Sequence, residues 1–176
     1  MSKSFATSAC FYFEAVSGNM SQHKRIGFRR PGSRKPLNKT MLLPLPNISV
    51  QKISLPVHLA LAACRGVAGN AHLMSELVRV VYLSYFLAET EKSHPSPALH
   101  LRAEAFLESA IARAKSEQVW QLSEDGAGAL EEVIALYDRQ LSTVPTWVFL
   151  DASDRLDRFT LSNRHSPLPN SEAKPL

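Results

Sequence analysis

The chain has 176 residues, a hydrophobic share of 45%, a charged share of 20% and a formal net charge of +4. This length predicts one domain, because typical domains run to about 100 to 150 residues, and the composition suits a packed core. The two cysteines, Cys10 and Cys64, exclude a disulfide framework and a paired-cysteine metal site, and they predict a cytoplasmic protein.

The N-terminal region, residues 1–40, is strongly basic. It holds eight Lys and Arg residues against Glu14 alone, a charge of +7, whereas residues 41–176 hold 12 basic and 15 acidic residues, a charge near −3. Residues 17–39 are mostly Gly, Ser, Asn, Pro, Lys and Arg without a helical or strand period, which predicts disorder. Neither a signal peptide nor a transmembrane helix is expected, because apolar stretches of sufficient length are missing.

An extended apolar strap is predicted for Met41–Ile48, because Pro44 and Pro46 hold their preceding residues away from the helical region. The first helix is predicted from about Pro56 to Arg65, with Ser54 as its N-cap and Gly66 as a left-handed stop. Its predicted apolar face consists of Leu55, Leu59, Ala62 and Ala63.

The second helix, about Ala71 to Glu91, is predicted to be the centre of the core. Asn70 suits its N-cap. From Leu77 to Leu87 the apolar residues leave almost no polar stripe, and a helix that is apolar nearly all round is a buried helix.

Three further helices complete the predicted domain: about Pro97 to Lys115 after Ser96, about Glu124 to Leu141 after Ser123, and Trp147 to about Phe159 after Thr146. Short connections predict antiparallel neighbours. We therefore predict an all-α, compact bundle of about five helices at 41–160, with a hydrophobic central helix and disordered termini at 1–40 and 161–176. The predicted inward residues of these helices are Leu99, Ala103, Phe106, Ala110 and Ala114, then Leu130, Val133, Ile134, Tyr137 and Leu141, then Phe149, Leu156 and Phe159.

Groups able to carry catalysis or bind a metal are sparse. Cys64 lies in an apolar run and is expected to be a core residue. His72 and Glu76 have the i, i+4 spacing of metal ligands, but the second histidine of a zinc-hydrolase motif is missing. The acidic group Asp151, Asp154 and Asp157 alternates with arginines, as a solvated helix face does. We predict no enzymatic activity, no cofactor and no metal site.

Two features allow nucleic-acid binding. The first two helices, joined by a short glycine-containing turn, could form a helix-turn-helix, although the second offers few polar side chains to a base edge. The basic region can neutralise phosphates with release of counterions, and the alternative is a merely solubilising tail. The predicted nucleic-acid contacts are Lys24, Arg25, Arg29, Arg30, Arg34, Lys35 and Lys39.

The stretch from Leu43 to Tyr82 contains Leu-Pro-Leu-Pro, His-Leu-Ala-Leu-Ala-Ala-Cys-Arg, Gly-Asn, His-Leu and Glu-Leu, and ends in Val-Tyr-Leu. It resembles short proteobacterial proteins commonly labelled Fis-family transcriptional regulators, and the similarity extends through 112–114 and 136–141. The resemblance implies a regulatory role. It transfers no DNA-contacting residue, because the Fis helix-turn-helix stands at the C-terminus and this chain has a Pro- and Ser-containing tail there.

Two hypotheses follow, and a third, an enzyme that uses Cys64 or His72, would require both residues to be exposed and adjacent. The first is a DNA-associated regulatory protein whose basic tail contacts phosphates. The second is a helical protein-interaction or self-associating module without nucleic-acid contact, in which residues 80–87 or the Leu-Pro strap would mediate self-association. A basic stripe on the folded body, continuous with the tail, would favour the first, and an acidic or apolar face would favour the second.

Overall fold

The structure, a computed structural model, describes residues 38–90, 97–162 and 164–169. Within these ranges the chain forms helices and no strand, as the predicted all-α class requires, but there are six helices rather than five. In chain order they are α1 Lys39–Leu42, α2 Asn47–Arg65, α3 Ala71–Ala88, α4 Ala98–Glu117, α5 Glu124–Thr143 and α6 Thr146–Thr160. The predicted basic tail lies outside the described residues, apart from its last three positions.

The central position predicted for the second helix is confirmed. Helix α3 packs against α2, α4, α5 and α6. Val81 is 1% exposed and Phe86 is 6% exposed. The expectation that residues 80–87 mediate self-association is therefore wrong, because these side chains, apart from half-buried Tyr85, lie in the core. Burial on every side explains why this helix lacks a polar stripe beyond its first turns.

Helix α2 begins at Asn47, so the prediction that the first helix starts near Pro56 is wrong. Pro56 lies inside the helix, where it cannot donate to the carbonyl of Lys52, a loss that costs about 3 kcal/mol. Val50 and Ile53 pack against the core, and their burial offsets that cost. The predicted extended strap is reduced to residues 43–46, between α1 and α2.

The turn between α2 and α3 requires glycine at Gly69 rather than at Gly66. Gly66 has a φ of −86°, so its predicted left-handed conformation is wrong. A Cβ at Gly69 would lie 1.9 Å from the carbonyl oxygen of Trp120. Asn70 caps α3 as predicted, accepting a hydrogen bond from the amide of Leu73 at 3.0 Å.

The start of α5 matches the sequence prediction, whereas that of α6 differs. Ser123 caps α5 by accepting a hydrogen bond from the amide of Gly126. Thr146 is the first residue of α6 rather than its cap, and its hydroxyl donates to the carbonyl of Leu43 instead. Ser96, the predicted cap of α4, lies outside the described residues.

The inward residues of α5 are all buried as predicted, but those of α4 are partly different. His100 and Leu107 occupy the core, while Leu99 and Phe106 are only half-buried. The buried face of the helix is therefore rotated relative to the predicted face, toward His100 and Leu107, and Phe106 lies at its edge beside Gly126 of α5. In α6 Leu156 is buried, and Phe149 and Phe159 are half-buried.

Residues 164–169 contact the bundle, although the sequence predicted disorder from Leu161 onward. Leu168 is 5% exposed, and His165 Nε2 lies 3.0 Å from Glu108 Oε1. Tyr82 is buried beneath this segment, and burial together with the neighbouring Glu104 carboxylate raises the pKa of its hydroxyl. A single apolar residue in a polar segment was too weak a pattern to predict this packing.

Candidate interaction surface

Helix α2 has two apolar faces. One face packs into the core through Val57, Ala60, Leu61 and Cys64, all at most 5% exposed. The opposite face carries Ile48, Leu55 and Leu59, which are 68%, 60% and 60% exposed, together with exposed Ala62. We call Ile48, Leu55, Leu59 and Ala62 the outer stripe.

The predicted inward face of this helix is therefore wrong at Leu55, Leu59 and Ala62, which form the outer stripe. The prediction began the helix at Pro56, which left too few turns to reveal two periodic apolar faces. Over the full helix the core face repeats from Val50 to Cys64, and the outer stripe repeats from Ile48 to Ala62 with spacings of seven, four and three residues. Those spacings are the signal that could have found the surface.

One edge of the outer stripe is lined by carboxylates from α5, and we call it the α5 edge. Asp138 accepts from the Ser54 hydroxyl at 2.6 Å and lies 2.8 Å from His58 Nε2. Arg65 pairs with Glu124 at 3.1 Å and also with Glu131. The edge thus holds three carboxylates against one guanidinium.

The other edge of the outer stripe carries Lys52. At about 100° of rotation per residue, Lys52 lies about 50° to one side of the stripe's centre and His58 about 70° to the other. Lys52 and Pro56 on this side are both exposed. The two edges of the same helix therefore differ in charge, with a lysine on one and an excess of carboxylates on the other.

A second apolar patch surrounds the contact between α1 and α6. Leu42, Leu43, Trp147 and Leu150 are between 40% and 61% exposed. The Leu43 carbonyl accepts from both the amide and the hydroxyl of Thr146, each at 2.8 Å. These bonds hold the apolar chain entering α2 against the start of α6.

The described residues give the body a slight negative charge. They include 11 Lys and Arg and 13 Asp and Glu residues, a charge near −2. Of the seven predicted nucleic-acid contacts, Lys39 alone lies in the described part, where it is exposed in α1. Lys24, Arg25, Arg29, Arg30, Arg34 and Lys35 lie outside it.

The arrangement of α2 and α3 does not resemble a DNA-reading pair. A recognition helix presents its side chains to the major groove, but α3 is buried between four other helices. Its exposed polar residues are confined to the first turns, at His72 and Arg79. This agrees with the central-helix interpretation of the sequence.

The core contains a polar cluster of Ser84, His100 and Gln140, each at most 1% exposed. The Ser84 hydroxyl donates to Gln140 Oε1 at 3.0 Å and lies 3.2 Å from His100 Nε2. Burial lowers the pKa of His100 to about 4. A serine and a histidine in contact suggest nucleophilic catalysis, but the Ser84 hydroxyl is directed to Gln140 and is closed to a substrate.

Cys64 is a core residue, as predicted. It is 0% exposed, and burial raises the pKa of its thiol. His72 is exposed on the next helix, so the two do not form an accessible pair. Within the described ranges no three His, Cys, Asp or Glu side chains form a metal-binding group.

The acidic residues of α6 lie on a solvated face, as predicted. Asp151, Asp154 and Asp157 are all exposed. Arg155 instead turns toward α3, where it pairs with Glu89 and lies 4.5 Å from the ring centroid of Phe86. The arginine therefore ties α6 to the central helix.

No protein-family model, curated protein or solved structure matches this chain. Each described helix is too short or too polar to cross a membrane. The similarity to Fis-labelled proteins and the functions derived from it remain predictions.

Proposed function

We propose that the helical body is a protein-interaction module that binds its partner through the outer stripe of α2. The observation that carries this proposal is the exposure of Ile48, Leu55 and Leu59 on a helix whose other face is already in the core. Exposed apolar side chains grouped on one helix face, as Leu55, Leu59 and Ala62 are on successive turns, are typical of interaction sites. When a partner covers these side chains, the hydrophobic effect favours association by about 25 cal/mol per Å² of buried apolar area.

The spacing of the stripe favours a helical partner. Its residues recur at intervals of seven, four and three positions, so they form a seam along the helix rather than scattered contacts. Such seams receive an amphipathic helix, whose apolar side chains insert between those of the first helix. Helix α2 has 19 residues, about 28 Å of contact length.

The charge of the body also supports a protein partner over a nucleic acid. The α5 edge presents Asp138, Glu124 and Glu131 beside the stripe. Phosphates would be repelled there, whereas nucleic-acid-binding surfaces concentrate Lys and Arg on one face. An apolar face with an acidic edge was the property expected of the interaction module.

Site-specific photocrosslinking tests this proposal. A photoreactive amino acid would be introduced at Leu55, and at Val67 as a control, because Val67 is 97% exposed but lies in the α2–α3 turn. In the cells that produce the protein, we expect a discrete protein adduct from position 55 and none from position 67. Equal adducts from both positions, or none from position 55, would contradict the proposal.

A second candidate function is DNA-associated regulation through the basic tail. The charge of +7 in residues 1–40 favours it, because such a segment gains sequence-independent affinity for phosphates by releasing counterions. In this case the tail binds the nucleic acid, and the helical body recruits the partner. The two functions are compatible, since they use different parts of the chain.

A further inference from the structure

We propose that the outer stripe binds a second copy of this chain, with the two α2 helices packed in parallel about a two-fold axis that runs along them. This inference rests on the interaction-module proposal and adds the identity and orientation of the partner. Its basis is the charge difference between the two edges of the stripe. Lys52 borders one edge. Asp138, Glu124 and Glu131 border the other, where Arg65 offsets only one of the three negative charges.

The relative orientation of two identical helices decides which edges meet. In an antiparallel pair each edge meets its own copy, so the α5 edges would oppose each other and bring carboxylates together. In a parallel pair each edge meets the opposite edge. The lysine edge of one copy then lies beside the α5 edge of the other, and symmetry creates this contact twice.

Charge complementarity thus selects the parallel arrangement, in which Lys52 of each copy faces Asp138 of the other. Asp138 is accessible for this contact, since its side chain is 34% exposed while it holds Ser54 and His58. Along the seam, Leu55 would face Leu55 and Leu59 would face Leu59. Like charges across an interface disfavour the alternative orientation.

One helix face buries less than the roughly 800 Å² per partner of a standard stable interface. The expected dimer is therefore weak, with a dissociation constant on the order of micromolar. Sedimentation velocity should show the full-length chain shifting from monomer to dimer as its concentration rises through that range. If the chain stays monomeric at every concentration up to about 100 micromolar, the proposal is overturned.

Substitution within the stripe localises the interface. Leu55→Asp and Leu59→Asp should each weaken dimerisation by roughly tenfold or more, because each buries a charge in the seam. Val67→Asp is the matched control and should leave dimerisation unchanged. Both leucines are 60% exposed, so the variants should keep the wild-type circular dichroism spectrum. Undiminished dimerisation by both folded variants would contradict the proposed interface.

A charge exchange tests the orientation. Lys52→Glu places like charges at both symmetric contacts, and so does Asp138→Lys, so each variant alone should dimerise roughly tenfold more weakly than wild type. An equimolar mixture of the two restores opposite charges at both contacts, so the mixed dimer should recover. A mixture that dimerises no better than either variant would exclude the parallel pairing.

The crosslinking experiment separates failure of this inference from failure of the module. An adduct between two copies at position 55 supports both the interaction module and the second copy as its partner. A discrete adduct with a different protein, together with a monomer in sedimentation, overturns the second-copy inference and leaves the module standing. If position 55 gives no adduct and the chain does not dimerise, both the interaction module and the second-copy inference are overturned.

Discussion

Ser84 on α3 and Gln140 on α5 exchange two hydrogen bonds in the centre of the core. The Ser84 hydroxyl donates to Gln140 Oε1 at 3.0 Å, and Gln140 Nε2 donates to the Ser84 carbonyl at 3.2 Å. Both residues are at most 1% exposed. Because buried polar groups must be paired, this exchange fixes how α3 and α5 lie against each other.

Replacing Gln140 alone should destabilise the fold. Gln140→Leu leaves the buried Ser84 hydroxyl without its acceptor, a loss of about 1 to 3 kcal/mol. Urea unfolding would measure the free energy of unfolding. Arg139→Ala on the exposed side of α5 is the control and should change it by less than about 0.5 kcal/mol. A Gln140→Leu variant as stable as that control would refute the structural role.

Acid should destabilise the bundle through His100. Its pKa is lowered from 6.5 to about 4 by burial, so between these pH values the unfolded chain binds a proton that the folded chain does not. Stability is therefore full above pH 6.5 and falls as the pH drops toward 4, by up to about 3 kcal/mol.

The comparison with His100→Leu isolates this contribution from that of the carboxylates. Urea unfolding at several pH values between 4 and 7 should show a shallower loss of stability for the variant than for wild type. Among the described residues the His100 Nδ1 atom has no hydrogen-bond partner, so the leucine forfeits one hydrogen bond, to Ser84, and the edge-to-face contact with Tyr85. Parallel pH profiles for the two proteins would refute a buried, neutral His100.

Two glycine substitutions should change the stability of the fold in opposite directions. Gly69→Ala places a Cβ 1.9 Å from the Trp120 carbonyl oxygen and should destabilise the fold by more than about 2 kcal/mol, since backbone must move. A Cβ at Gly128, inside α5, would meet no atom of the described residues within 4 Å beyond the backbone of its own helix, so Gly128→Ala should stabilise the fold by about 0.5 to 1 kcal/mol. Thermal unfolding measures both. Equal effects would show that the α2–α3 turn is not constrained at Gly69.

The basic tail should bind duplex DNA in a salt-dependent manner if the second candidate function holds. Fluorescence anisotropy of the full chain at about 50 and 200 mM salt should show affinity falling by a factor on the order of 10³ for six phosphate contacts. Neutralising Lys24, Arg25, Arg29, Arg30, Arg34 and Lys35 to glutamine should abolish this dependence. Equal weak binding by both proteins would eliminate the proposed DNA contact.

Local patterns predicted most of the elements correctly. The capping residues Asn70 and Ser123 marked the starts of α3 and α5, because a cap depends on hydrogen bonds within three residues of sequence. The apolar character of 77–87 predicted a central helix, since a buried helix needs no polar side. Where one strong periodic face exists, as in α5, every predicted core residue was buried.

The sequence did not predict that the outer stripe is exposed, because its residues are apolar and have the spacing of a buried helix face. Leu55 and Leu59 have the composition and spacing of a buried face, and Pro56 suggested a helix start. Which of two apolar faces turns inward depends on the packing of α3 and α5 against α2. The same limitation explains Leu168, whose burial depends on contacts far away in sequence.

By itself the sequence determined an all-helical body in the part of the chain that the structure describes, a central apolar helix and the separation of a basic region from a slightly acidic one, because these properties depend on composition and short-range periodicity. Only the tertiary structure decided that α2 extends through Pro56 and leaves Ile48, Leu55 and Leu59 exposed. Tertiary packing decided this because the core has room for only one face of each outer helix, and an apolar pattern alone does not say which face is covered.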